Sequence, residues 1–395
     1  MTDAIETVGV IGLGRMGFDI AFLYARSGYR TLIYDVVEEV MRCIGDRSNQ
    51  AIARLERRNR ISKAEATKVK DGLVPVSDPA AMARAHLVTE AVAESATTKK
   101  AVYRALRDGG FDGILTTNTS SLPRASLLAE GDYPSEKFAA THFFNPVLYT
   151  RMVEVVRGEM SETNYAALTA FLSALGRQPV ETRDISGFVS NGVLMFYTVT
   201  ALRLIECGAT IESVDGAAKA LGALPPLFSL DSWKPSIVED VTRAMFEYRG
   251  DDFLRSSKLL AALARSNALF YVGEKPNPAI YDLAENRGAA PARAEVELAL
   301  ITSVRLAAAR TVELGESPAT VDWIAVEGLK FARPPLAEID ALGAARVLED
   351  LRCLNAALSL GMPAPLLLRA MAEKKQSFYK GGRVNPWLAA RCPSG

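Results

Sequence analysis

Histidine and cysteine are scarce in this chain of 395 residues, and neither sign of charge dominates it. Its two histidines, His86 and His142, exclude histidine-rich metal sites and confine any histidine chemistry to two positions. Four cysteines are spread along the chain: Cys43, Cys207, Cys353 and Cys392. Because no two of them form a C-x-x-C pair, we expect no zinc or redox site and a reducing, cytoplasmic compartment. The 46 basic and 46 acidic residues balance, which argues against nucleic acid or an anionic membrane as a partner.

Long apolar runs are also missing. No uninterrupted stretch of about 18 apolar residues is present to span a bilayer. Residues 1–14 lack the basic segment, apolar core and cleavage site of a signal peptide. Hydrophobic residues nevertheless make up 49% of the chain, as in an ordinary soluble globular protein. At roughly 150 residues per domain, the length predicts two or three domains.

Short apolar runs alternate with helical patterns in the first half of the chain. Four runs read as strands: Thr7–Ile11, Thr31–Tyr34, His86–Ala91 and Gly113–Thr116. Such βαβ alternation predicts a doubly wound, Rossmann-type parallel sheet. From Ser186 onward nearly every segment has the apolar spacing of an amphipathic helix. The predicted fold class is therefore α/β followed by all-α.

The helical part contains an internal repeat. A shift of 107 residues places the pattern A-x-R-x-x-E-x-G, followed by V-D, of residues 201–215 on the same letters of residues 308–322. With two more residues inserted, P-P-L at 225–227 matches P-P-L at 334–336. Fixed order over such a length indicates two copies of one helical unit. We predict domains at 1–185, 186–290 and 291–395.

A glycine-rich motif follows the first predicted strand. Gly12, Gly14 and Gly17 form G-x-G-x-x-G before a predicted helix Arg15–Arg26, whose N terminus offers an anion site. Asp35 follows the next strand, where a carboxylate binds the adenosine ribose. No arginine comes after it to pair a 2′-phosphate, so NAD is favoured over NADP. The alternative is a glycine turn that serves packing alone.

Polar side chains cluster after two later segments of the predicted sheet. Residues 116–121 read T-T-N-T-S-S, and His142 begins H-F-F-N-P. Glu154 lies in an otherwise apolar strand, and a buried carboxylate there needs a partner such as an imidazole. Three alternatives stay open: His142 as a core histidine, Glu154 exposed on an edge strand, and Ser120 or Ser121 as caps of a helix starting near Leu122.

At these residues the sequence resembles the 3-hydroxyacyl-CoA dehydrogenase family of fatty-acid β-oxidation, over essentially the whole chain. The resemblance rests on these motifs: GLGRMG at 12–17, TEAVAE at 89–94 with Lys99 beyond, NTSSL at 118–122, HFFNP at 142–146, VEV at 153–155 and GFVSN at 187–191. It implies oxidation of an acyl-CoA thioester by NAD. By this resemblance we expect a stand-alone dehydrogenase. The two helical copies are expected to pack together as an intramolecular pseudo-dimer, and the whole chain is expected to be a monomer or a homodimer.

The family implies a role for each matching residue. His142 is the general base, Glu154 supports its imidazolium, Ser120 binds the substrate oxygen and Asn191 helps to hold the substrate. The residues predicted to bind NAD are Gly12, Gly14, Arg15, Met16, Gly17, Asp35, Glu90, Ala91, Lys99, Asn118 and Asn145.

A basic stretch and several departures bear on the substrate. Residues 54–70 hold seven basic residues against two glutamates. Arg58 is the candidate for CoA, with a solvated helix face as the alternative and Ala51 where the family has serine. Ser186, Gly192 and the turn 224–228 also depart from the family pattern. Two other functions therefore stay open: a dehydrogenase of a free 3-hydroxy acid or carnitine-like compound, and a non-catalytic NAD-binding relative.

Overall fold

A computed structural model describes residues 5–255, 257–285 and 288–389, so Cys392 lies outside the described residues. The chain divides into two compact units, residues 1–184 and 185–395. Both helical copies belong to the second unit, and the boundary that we predict between them at 290 stays a prediction.

The first unit contains an eight-stranded sheet in the order β3-β2-β1-β4-β5-β6-β7-β8. Its strands are β1 Thr7–Ile11, β2 Arg30–Tyr34, β3 Leu73–Pro75, β4 Leu87–Glu90, β5 Ile114–Thr117, β6 Phe138–Phe143, β7 Met152–Val156 and β8 Gln178–Glu181. All neighbouring pairs run parallel except β6 and β7. The strand order reverses between β1 and β4, which is where Rossmann-type sheets bind ligands. The predicted fold class is confirmed.

Helices cover the sheet. They are α1 Arg15–Arg26, α2 Glu38–Arg42, α3 Ile44–Glu56, α4 Lys63–Gly72, α5 Ala96–Asp108, α6 Arg124–Leu128 and α7 Glu162–Ala174. The predicted helix at Arg15–Arg26 and strand at Thr7–Ile11 have the expected bounds. The sequence does not predict β3 or β8, because β3 has only three residues and ends at a proline, and β8 begins and ends with polar residues.

The second unit is helical apart from two small hairpins. The first copy has α8 Ser190–Glu206, α9 Ile211–Ala220, α10 Pro226–Trp233, α11 Pro235–Arg249, α12 Lys258–Ser266, β9 Tyr271–Val272, β10 Lys275–Pro276 and α13 Ala279–Leu283. The second has α14 Arg293–Glu313, α15 Pro318–Trp323, α16 Pro335–Leu342, α17 Ala344–Leu358, α18 Leu366–Lys374, β11 Tyr379–Lys380 and β12 Arg383–Val384. A π-helical segment, Ile324–Gly328, extends α15. Helices α8 and α14 pack against each other.

Matching hydrogen bonds show that the two copies are one structural unit used twice. Asp215 accepts the amides of Leu227 and Phe228 at the start of α10, each at 3.0 Å. Asp322 does the same at the start of α16, accepting the Leu336 amide at 2.8 Å and the next amide at 3.2 Å. A carboxylate at a helix N terminus satisfies amides that have no intrahelical partner.

A second pair of equivalent aspartates, on α10 and α16, holds the hairpin of each copy. Asp231 accepts the amides of residues 270 and 271 at 2.8 and 2.9 Å. Asp340 accepts the amides of residues 378 and 379 at 2.7 and 2.8 Å. The repeated aspartates therefore mark positions that organise each copy, which explains why they coincide in the sequence.

None of the helices in the described ranges combines the length and the hydropathy needed to cross a membrane. Within the same ranges, no group of three or more histidine, cysteine, aspartate and glutamate side chains is arranged to hold a metal ion.

Candidate active site

The antiparallel pairing of β6 and β7 brings the predicted base and its carboxylate together. His142 and Glu154 are directly opposite each other in the register. The His142 Nδ1 atom lies 2.8 Å from Glu154 Oε2. Only residues 144–151 connect the two strands, too few for the crossover helix that a parallel pair requires. A short connection thus produces the antiparallel turn that pairs these side chains.

Burial excludes the interpretation of Glu154 as an exposed residue of an edge strand. The Glu154 side chain is 0% exposed, whereas that of His142 retains 10% exposure. Glu154 is therefore not an edge residue facing water, because β7 lies between β6 and β8. The ring of Phe144 packs 5.2 Å from the imidazole. A carboxylate that accepts the Nδ1 proton fixes the ring tautomer and leaves Nε2 as the nitrogen that can accept a proton.

The loop after β5 lies beside this pair. Thr117 at the end of β5 pairs with Ala140 of β6, two residues before His142. The side-chain oxygen of Asn118 accepts the Phe143 amide at 3.2 Å. Asn118 is buried and its loop is thereby attached to the strand that carries the histidine. Ser120, two residues further along this loop, is partly exposed.

Glu94 holds the loop in shape, a role that sequence reasoning did not assign to it. One carboxylate oxygen accepts the Thr119 hydroxyl at 2.6 Å and the Ser120 and Ser121 amides at 2.8 and 3.0 Å. Burial acts to raise the pKa of Glu94, but the charge of Lys99 and these hydrogen bonds lower it overall. Its position four residues after Glu90 in the TEAVAE motif was the available signal.

The capping alternative for the serines is wrong. The amides at the start of α6 donate to the carboxylate of Asp184, Arg124 N at 2.7 Å and Ala125 N at 2.8 Å. This aspartate satisfies the N terminus of α6. Ser120 and Ser121 lie instead in the loop that Glu94 organises.

Glu90 and Lys99, both predicted to bind NAD, pair with each other in this structure. Both side chains are 0% exposed and form an ion pair of 2.9 Å. Glu90 also accepts the Val92 amide and the Tyr103 and Thr117 hydroxyls. The contact of these two residues with NAD stays a prediction. They support the loops after β4 and β5, since Lys99 Nζ also donates to the Asn118 carbonyl at 3.1 Å.

The glycine motif forms a cradle that fits a dinucleotide. Gly12 has a φ of +86°, and a Cβ there would lie 2.7 Å from the backbone of Ala91. A Cβ on Gly17 would lie 1.8 Å from the Gly12 carbonyl oxygen. At Gly14, by contrast, a Cβ would meet only open space on the side where a pyrophosphate approaches. Arg15 and Met16, at the start of α1, are exposed and partly exposed.

Two charged residues shape this cradle. Asp35, directly after β2, accepts the Leu13 amide at 2.6 Å and the Val37 amide at 2.9 Å. Arg47 on α3 donates to the carbonyls of Leu13 and Gly14 at 2.6 and 2.9 Å and lies 4.0 Å from the Phe18 ring centroid. Burial lowers the pKa of Arg47. No motif had pointed to Arg47.

In the second unit, the predicted substrate residue Asn191 is the second residue of α8 and is buried. At the neighbouring Gly192, the absence of a Cβ makes room for the side chain of Arg249. A Cβ on residue 192 would lie only 3.0 Å from Arg249 Nη1. Burial lowers the pKa of Arg249, whose Nε lies 2.8 Å from Asp251. Gly192, which departs from the family pattern, therefore accommodates the buried Arg249 of α11.

The basic stretch forms one side of a cavity in the first unit. Its volume is about 580 Å³, and its lining includes Arg60, Arg26 and Tyr149. Arg60 lies 6.0 Å from the Tyr149 ring centroid. Arg58 is exposed in the turn after α3, whereas Ala51 is buried in the core.

Family comparison agrees with this arrangement. The model of the 3-hydroxyacyl-CoA dehydrogenase NAD binding domain matches residues 7–185, and the C-terminal domain model of that family matches residues 187–281. The chain belongs to the 3-hydroxyacyl-CoA dehydrogenase family. It is an NAD-dependent oxidoreductase.

Individual relatives of this dehydrogenase cover most of its length. A Mycobacterium tuberculosis 3-hydroxybutyryl-CoA dehydrogenase is 34% identical over 227 residues, 56% of this chain and 78% of the relative. The Escherichia coli 3-hydroxyadipyl-CoA dehydrogenase is 31% identical over 289 residues, 72% of this chain and 60% of the relative.

Solved structures show the same fold. The M. tuberculosis FadB2 structure is 30% identical and covers 68% of this chain and 96% of its own, with a TM-score of 0.64. A 3-hydroxybutyryl-CoA dehydrogenase structure from E. coli covers 94% of this chain and 98% of its own, with a TM-score of 0.76 at 24% identity.

Proposed function

We propose that this enzyme oxidises (S)-3-hydroxyacyl-CoA to 3-ketoacyl-CoA, with His142 as the general base. The observation that carries the proposal is the pair of His142 and the fully buried Glu154, 2.8 Å apart beside the loop that holds Ser120. Relatives whose names specify 3-hydroxybutyryl-CoA and 3-hydroxyadipyl-CoA support a thioester substrate.

The chemistry follows from the hydrogen bond on Nδ1. Because Glu154 accepts the proton of Nδ1, the Nε2 atom of His142 is free of a proton and takes the one on the 3-hydroxyl. Glu154 then stabilises the imidazolium, and Ser120 donates to the oxygen as it becomes a carbonyl. When bound, NAD accepts the hydride that leaves C3 of the substrate. Asn191 remains our predicted second ligand of the substrate.

The residues that would hold NAD follow from the cradle. Gly14 and the N terminus of α1 face the pyrophosphate, and Asp35 binds the adenosine ribose. Its carboxylate would repel a 2′-phosphate, which favours NAD over NADP. Ala91, Asn118 and Asn145 follow β4, β5 and β6, respectively, and remain predicted contacts near the nicotinamide end.

Arg58 is our candidate for CoA, because phosphates favour exposed guanidinium groups. The cavity beside Arg60 and Tyr149 supports this location. The competing function, a dehydrogenase of free 3-hydroxy acids, needs no such basic surface.

Substrate comparison tests the proposal. We expect NADH oxidation with acetoacetyl-CoA and with longer 3-ketoacyl-CoA, and little with free 3-oxo acids. The Arg58→Ala variant should raise KM for the thioester about threefold to tenfold. Lys70→Ala, an exposed basic residue at the other end of the stretch, is the matched control. Turnover of free acids without turnover of thioesters would overturn the proposal.

A further inference from the structure

A second cavity, of about 500 Å³, lies where the two helical copies meet within the second unit. One side is formed by α8 and the end of α9 in the first copy. The other is formed by α14, by residues 331–333 and by α16 in the second copy. Such a volume is within the range of small-molecule sites in proteins, about 300–1,000 Å³.

Equivalent positions of both copies line this seam cavity. Under the 107-residue repeat Tyr197 corresponds to Val304, and Ala223 corresponds to Phe331 because their amides donate to the matched carbonyls of Ala218 and Ala325; Tyr197, Val304, Ala223 and Phe331 all line the cavity. Tyr197 packs edge-on against Phe331 at 5.4 Å and donates its hydroxyl to a backbone carbonyl at 2.9 Å. The walls are therefore apolar, and the cavity is a product of the duplication.

The charges in the cavity come from the second copy alone. Arg305 and Glu338 form an ion pair of 3.2 Å, with side chains 11% and 15% exposed. Arg333 approaches the same carboxylate at 3.9 Å and is 78% exposed. Two guanidinium groups thus share one carboxylate, which leaves one positive charge in excess.

The equivalent positions of the first copy are Thr198, Leu224 and Ser229, none of them charged. If two identical single-copy chains formed this seam as a symmetric dimer, each charged residue would occur twice in it. Because the two copies in this chain differ in sequence, the cavity can carry charge at one end and apolar walls elsewhere. Among the described residues, Arg305 has Glu338 as its only charged partner, through Nε and Nη2.

We propose that the seam cavity binds a free medium-chain carboxylate. The carboxylate would pair with Arg305, and the chain would lie against Leu300, Val304 and Phe331. Arginine suits this role because its guanidinium presents donors in the planar geometry that a carboxylate accepts. An apolar chain then buries its surface against the walls, which favours binding.

Calorimetric titration of the full chain with octanoate tests the proposal, with octanol as the neutral probe of equal length. We expect saturable binding of octanoate, with octanol weaker by about tenfold or more. The paired variant Arg305→Leu/Glu338→Leu removes the buried guanidinium without leaving an unpaired buried carboxylate, and it keeps the net charge of the cavity because the exposed Arg333 remains. It should reduce octanoate affinity by a similar factor.

A cavity-filling variant, Ala223→Leu, should weaken octanoate and octanol alike, and the exposed Asp240→Asn serves as a matched control that changes neither. Thermal unfolding establishes that each variant is folded. Equal affinities for octanoate and octanol, or octanoate binding unchanged in both cavity variants, would overturn the proposal. Because the readout is binding, it is independent of the reaction that the enzyme catalyses.

Discussion

At the scale of the residue, the proposed chemistry depends on one imidazole whose orientation is fixed by one carboxylate. Glu154 has no exposure to water, so its charge is stabilised by the His142 ring and not by solvent. In the proposed reaction, the same arrangement supports the positive charge that His142 acquires when it takes a proton. We therefore propose Glu154 as a positioning residue that acts through His142.

Replacing Glu154 by glutamine tests this role. The amide retains the shape but not the charge, so the imidazolium is no longer stabilised. We expect kcat to fall about 100-fold, with the pH profile of kcat shifted and KM for NAD little changed. Glu162→Gln, at a side chain 79% exposed, is the matched control. An unchanged pH profile in Glu154→Gln would contradict the assignment.

Arg47 acts on the cofactor site through the glycine loop. Its two hydrogen bonds to the Leu13 and Gly14 carbonyls fix the loop that we propose would hold the pyrophosphate. Arg47→Met should raise KM for NAD about tenfold and leave kcat within about a factor of two. Steady-state kinetics with varied NAD measures both. Arg54→Met on the same helix is the control, and a loss confined to kcat would argue against a role in NAD binding.

At the scale of the element, strand direction decides which side chains meet. The sequence predicts the strand that carries Glu154 and the chemical need for a partner, but twelve residues separate it from His142. The register and direction of β7 depend on the short connection 144–151 and on its pairing with β8. Neither can be predicted from the local residue pattern of the strand. The role of Glu94 was missed for a similar reason. It acts on a loop about 25 residues away in the chain.

Glu94 also gives the loop after β5 a dependence on pH. Its folded-state pKa is lowered, so its stabilising effect is full above the unfolded value near 4.5 and is lost as pH falls through the folded value. Glu94→Gln should lower the free energy of unfolding by about 1–3 kcal/mol at pH 7. The difference from wild type should shrink under acid, as followed by urea unfolding at both pH values. A difference independent of pH would contradict this account.

At the scale of the whole molecule, duplication has produced two copies with the same internal framework and different surfaces. The repeat is visible in sequence because buried aspartates such as Asp215 and Asp322 accept the same backbone amides. The cavity at the seam was not predictable. It depends on residues that differ between the copies and on how α8 packs against α14.

The matched aspartates predict matched effects. Asp215→Asn and Asp322→Asn should each destabilise the protein by about 1–3 kcal/mol, since an amide cannot accept both backbone amides and the tyrosine hydroxyl. Chemical unfolding measures each variant, with the exposed Asp240→Asn as control. A large loss of stability at one position and none at the other would show that the aspartate does not have the same structural role inside each copy.

The central claim, that His142 is the base of an NAD-dependent dehydrogenase, is tested most directly by comparing the two histidines. His86 lies at the opposite end of the sheet, where its Nδ1 is 3.3 Å from the Thr7 backbone. The measurement is NADH oxidation with acetoacetyl-CoA by wild type, His142→Gln and His86→Gln. We predict a loss of kcat of about 1,000-fold in His142→Gln and a rate within about a factor of two of wild type in His86→Gln. A wild-type rate in His142→Gln would contradict the account.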